Sequence, residues 1–219
     1  MNGASYVDAY RSMRGGALYL VITFLLMSIS AIIAFLKILM TYYMHYYKKM
    51  SYTTHYEMPS FAKPLELVAS IPWTVLMGLV VIGGIVGVIG LSGKFVPGLR
   101  KLAESNPEFK TPSTLVYVGL FWGVILMVTG AALSFVFVGL LIMIVAITLM
   151  TIGEIGLVVL GLKLYDVEEN GLYLITGALF AIGIFVPIAG LLAWILLYVA
   201  LGNSIIERAK TMVPTTSPH

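Results

Sequence analysis

Polar residues along this chain are gathered into a few short stretches. Between them lie apolar runs of about 20 residues or more, the length a helix needs to cross a hydrocarbon core of about 30 Å. The pattern predicts membrane-spanning helices near residues 15–40, 67–91, 114–133 and 137–162, then 172–185 and 191–206. The run from Thr114 to Leu162 would reach roughly 73 Å as one helix, at about 1.5 Å per residue. That is about twice what a bilayer core requires, so the chain must fold back once, and Ser134-Phe135 is the expected turn.

The segment from Gly171 to Gly202 has two readings. It is either one helix kinked at Pro187 or a hairpin turning at 186–190. Lysine and arginine favour the hairpin, because they collect on the cytoplasmic side. With six spans, nine of the 13 cations fall on one side and four on the other. With five spans the split is seven against six. The expected fold class is therefore an all-α polytopic transmembrane helix bundle of six spans, five if 171–202 is a single kinked helix. Both termini then lie in the cytoplasm of a plasma-membrane protein. Residues 1–210 form one helical domain, and 211–219, with two prolines and three threonines, are an expected disordered tail.

Composition agrees with this reading. The 219 residues are 60% hydrophobic and 11% charged, against roughly 45–50% and 25% in soluble domains. A formal charge of +3, dispersed along the chain, gives no reason to expect nucleic acid. Cysteine is absent, so thiolate metal sites and disulfides are excluded. Arg11 and Arg14 precede an apolar run too long for a signal peptide, which makes it a retained first span.

Within this layout a few residues attract chemical interest. Glu154 is set deep inside the fourth span, where a carboxylate is costly unless protonated, paired or in a water-filled cavity. It is the candidate proton or cation site; the alternative is a protonated carboxyl bonded to a neighbouring helix. Lys37, one turn from the end of the first span, is expected to send its ammonium to the interface. Tyr42, Tyr43, Tyr46 and Tyr47 follow at helical spacing as an interface belt, continuing the helix out of the bilayer. His45 and His55 are candidate metal or haem ligands, against that same aromatic belt. Gly83 and Gly87 form a GxxxG on the second span, and Gly119 and Gly123 share a face of the third; such positions let helices approach closely. The polar stretch 92–113 reads either as an amphipathic segment on the membrane surface or as a solvated loop. In it Pro97 opens a short helix and Asn106-Pro107 ends it. Residues 163–170 read as a polar loop.

The opening Arg11-Ser12-Met13-Arg14-Gly15-Gly16-Ala17-Leu18-Tyr19 resembles the start of an archaeal polytopic membrane family of unknown function. The stretch from Gly177 through Val186-Pro187 to Trp194 and Gly202 is similar to that family's closing segment. The resemblance implies an archaeal plasma-membrane protein and brings no catalytic residues. No nucleophile–base pair, phosphate loop or metal-spaced motif stands out, so no enzyme activity and no cofactor is expected. The expected role is a structural or accessory subunit in contact with the lipid bilayer and with other membrane subunits or a second copy. The rivals are a small transporter or proton-coupled channel using Glu154, and a haem- or metal-holding subunit of a respiratory-type complex.

Overall fold

The computed structural model describes residues 3–51, 70–133 and 137–212. They form six helices and, among the described residues, no strand. Helix α1 is Gly3–Ser51. Helix α2 is Trp73–Ser105, and α3 comprises Lys110–Val116, Tyr117–Phe121 and Trp122–Ala132. Helices α4 (Phe137–Glu168), α5 (Gly171–Gly183) and α6 (Pro187–Met212) complete the chain. Five of the six, all but α5, are long and apolar enough to cross a membrane. The protein is thus an all-α helical bundle with the make-up of a multi-pass membrane protein.

The break before Pro187 resolves the choice at the carboxyl end. α5 and α6 are two helices, because Ile184–Val186 are non-helical and Pro187 starts α6, where its missing N–H costs nothing. The break falls just ahead of the 186–190 turn expected. With 13 residues, α5 reaches only about 20 Å, short of a full crossing.

Several predicted boundaries need correction, mostly for one reason: polar residues do not end a helix unless something breaks it. α1 begins well ahead of residue 15, at Gly3, and, as expected, runs on past residue 40; no proline interrupts residues 3–51. It carries Tyr42, Tyr43, His45, Tyr46 and Tyr47 outward as a helix. The second helix starts at Trp73, directly after Pro72, and not near residue 67; residues 67–69 lie outside the described part.

The stretch 92–113 is mostly helical and not a loop. α2 continues through a π-helical turn at Leu91–Phe95 and on to Ser105. Phe95, Leu99 and Leu102 are fully buried, so the apolar side packs on protein. Asn106 does end this helix: it is extended, as a residue before proline prefers, and its side chain accepts from the Glu108 N–H at 3.0 Å. Residues 163–168 likewise belong to α4, not to a loop. Only Glu169 and Asn170 separate α4 from α5. Glu169 takes a left-handed φ of 51°, and Asn170 caps α5 by accepting from the Leu172 N–H at 3.1 Å. The turn expected at Ser134-Phe135 and residues 213–219 of the tail lie outside the described residues.

The chain divides into two compact units, residues 22–85 and the remainder. In the smaller unit α1 and α2 run antiparallel and are tied by side chains that donate to carbonyls. Thr23 Oγ1 donates to Gly83 O at 3.1 Å, Ser30 Oγ to Leu76 O at 3.2 Å, and Lys37 Nζ to Ile71 O. In the larger unit, successive helices pack as antiparallel neighbours. α3 meets α4 through glycine: a Cβ on Gly119 would lie 2.1 Å from the Gly153 amide nitrogen. α5 meets α4 where Gly161 faces Gly177, and meets α6 where Gly183 faces Gly190. Trp194 of α6 stands edge-on to Phe95 and Phe180, with ring centroids 5.1 and 5.0 Å away.

Candidate functional site

Two carboxylates of helix α4, Glu154 and Glu168, have opposite character, and both belong to the larger unit. Glu154 lies near the middle of this 32-residue helix. Its neighbour Gly153 is pressed against Leu120 in the π-helical turn Tyr117–Phe121 of α3. Glu154 itself is half-buried, and among the described residues no hydrogen-bond or ion-pair partner meets its carboxylate. A π turn adds a residue to a helix and is common at functional sites; here it allows the close glycine contact beside the carboxylate.

Glu168, the last residue of α4, is a different case. Its side chain is 6% exposed and pairs with Arg208 of α6, which is 27% exposed. Arg208 Nε donates to Glu168 Oε1 at 2.9 Å, and Tyr10 Oη of α1 donates to the same oxygen at 2.6 Å. The Arg208 guanidinium also lies over the Tyr6 ring, 4.5 Å from its centroid. A carboxylate at a helix C-terminus is disfavoured by the helix dipole. The guanidinium and the phenol offset that cost, and the Tyr6 ring suits the weakly hydrated face of arginine. Beside this cluster, Tyr173 Oη and Ser204 Oγ share a buried hydrogen bond of 2.8 Å. The start of α1, the end of α4 and the end of α6 are therefore locked together at one end of this unit.

One turn further along α1, Arg14 lies over the Tyr198 ring at 4.4 Å and against Gly202. Its Nε is buried and has no hydrogen-bond partner among the described residues. Sequence reading passed over Tyr10, Glu168 and Arg208. Each sits in a polar stretch, and nothing in their spacing signals that three helix ends converge. The one available clue was that α4 and α6 both close on charged residues.

The residues singled out from sequence fall as follows. Gly119 and Gly123 make tight contact with α4: a Cβ on Gly123 would lie 2.7 Å from Met150 Cγ. Gly87 is buried. Gly83 is looser, with Leu26 Cβ 3.4 Å from where its own Cβ would be. Lys37 points at the start of α2, near Ile71 O and 5.3 Å from the Trp73 ring centroid. Tyr42 is 74% exposed, Tyr46 is exposed and Tyr43 half-buried. His45 is exposed; His55 and the Tyr47 side chain lie outside the described part. Among the described residues, no three His, Asp or Glu side chains gather as a metal site would require.

Neither the curated proteins nor the solved structures contain a match to this chain. A family profile does match, across residues 7–218. The match takes in α1 from residue 7 onward and every later helix described above, so the chain belongs to the family described as protein of unknown function (DUF973).

Proposed function

We propose that the protein is a non-enzymatic accessory subunit of a larger assembly in the plasma membrane, packing against other membrane chains or a second copy. The observation that supports this reading is the bare flank of the residue 22–85 unit. Two helices alone cannot enclose a core. Here they leave Ile29, Ile32 and Phe35 of α1, and Met77, Val81 and Ile85 of α2, exposed. A shallow groove of about 230 Å³ between the two helices is lined by small residues, Ser30, Ala31 and Ala34, alongside Trp73 and Leu76. Small residues beside large apolar ones suit close packing of a further helix in lipid. The excess of lysine and arginine near both termini supports a cytoplasmic location for those ends.

The test is a pull-down of the tagged protein from its native membrane in gentle detergent, with the partners identified. A stoichiometric set of other membrane chains, or a defined homomer, is the expected result. A lone monomer that never co-purifies with another chain defeats the reading.

A second reading, a small transporter or proton-coupled channel, rests on the unpartnered Glu154 beside the π turn of α3. Uncompensated carboxylates at that depth are expensive and are retained where they serve transport. On this reading Glu154→Gln abolishes proton or solute flux into liposomes. Unchanged flux removes it.

A further inference from the structure

At the junction of α2 and α3 the larger unit holds an open groove of about 500 Å³ that none of the roles above uses. Arg100 and Lys110 line it with Glu104, Ser113, Thr114 and Tyr117. The Arg100 guanidinium lies over the Tyr117 ring, 4.2 Å from its centroid. That contact fixes the cation while leaving its N–H groups open, and among the described residues neither Arg100 nor Lys110 is in an ion pair. Glu104 is one turn from Arg100, yet no bridge forms between them. Ser113 is only 6% exposed, and its hydroxyl has no hydrogen-bond partner among the described residues although it lines the groove. That hydroxyl opens onto the groove, where a ligand oxygen can accept from it. Thr114 is already committed, donating to Lys110 O at 2.9 Å.

The groove therefore presents two open cations and one open hydroxyl, which is the complement of a phosphate group. Its surroundings point to the source of that phosphate. Below Tyr117, the stacked ring of Phe121 and the exposed Val118 and Trp122 continue down the same helix. Aromatic rings of this kind mark the level where headgroups meet hydrocarbon. We propose that this groove binds the phosphate of an anionic membrane-lipid headgroup, with the acyl chains descending along α3 past Val118 and Trp122. Arg100 and Lys110 hold the phosphate, Ser113 donates to it, and Glu104 opposes a second negative charge.

The test uses the full chain in nanodiscs of mixed phosphatidylglycerol and phosphatidylcholine, with the retained lipid measured by native mass spectrometry. Wild type should retain phosphatidylglycerol preferentially. Arg100→Gln and Lys110→Gln should each cut that preference about fivefold, from the attraction of a basic side chain to an anionic surface. Glu104→Gln should raise it, a gain that a merely structural groove would not give. All three positions are exposed, so folding is expected to survive; should one variant misfold, the other two still decide. An unaltered lipid preference in the folded variants overturns the proposal. Calorimetry of the delipidated protein with inorganic phosphate separates the sources. Weak or no binding supports a lipid, whereas tight phosphate binding without lipid preference overturns it.

Discussion

The two helix pairs α1–α2, within residues 22–85, and α3–α4 solve one problem by different means. Lipid is as apolar as leucine, so burial of greasy surface does little to bring helices together in a membrane. In α1–α2 the bond is made by side chains: Thr23, Ser30 and Lys37 each donate to a carbonyl across the pair. In α3–α4 it is made by backbones: Gly119 and Gly153 leave no room for a Cβ. Dispersion between closely packed atoms then supplies the attraction. The first device tolerates small changes in spacing, because a hydroxyl can follow its acceptor. The second does not, because a backbone cannot move away locally. The larger unit adds a further rigid element, the buried Glu168–Arg208 pair, for which the described part of the smaller unit has no counterpart.

Substitutions should separate the two devices, and the largest effect should come from the ion pair. Arg208→Met strands Glu168 as a buried, uncompensated charge and should cost about 3–5 kcal/mol. Replacing both partners by apolar residues should recover much of that loss, since the desolvation cost disappears with the charges. Reversible unfolding in mixed micelles, followed by circular dichroism, measures both. If Arg208→Met were as stable as wild type, the rigid end of the larger unit would be a solvated surface contact instead.

Next in size is Gly119→Ala, which overpacks a backbone–backbone contact and should cost about 1–3 kcal/mol or more in the same assay. In the α1–α2 pair the matched change is Gly83→Ala, where the nearest atom would be 3.4 Å away. Its effect should stay within about 0.5 kcal/mol. Equal losses at the two glycines would erase the distinction between the pairs.

The smallest effect should come from Ser30→Ala, which removes one interhelical hydrogen bond worth about 0.6 kcal/mol on average in membrane proteins. A loss as large as that of Gly119→Ala would mean that the hydroxyl device is no softer than the glycine one.

The all-helical fold of this chain, with helices long and apolar enough to cross a membrane, was legible in its sequence, because the run length required by a bilayer and the need to satisfy every backbone group leave few alternatives. So were the glycine face of α3, the break at Asn106-Pro107 and the separation of α5 from α6 at Pro187, each of which rests on a property of one residue type. Helix ends marked only by a change from apolar to polar were misplaced, as at residues 92–105 and 163–168. A helix stops where its backbone is broken, not where its side chains become charged. Glu154 was visible as a carboxylate out of place, which is a local fact. The pairing of Tyr10, Glu168 and Arg208, and the gathering of Arg100, Lys110 and Ser113 around one groove, were not visible. These arrangements bring together residues that local rules cannot relate, and only the packing of one helix end against another decides which charges meet and which are left open.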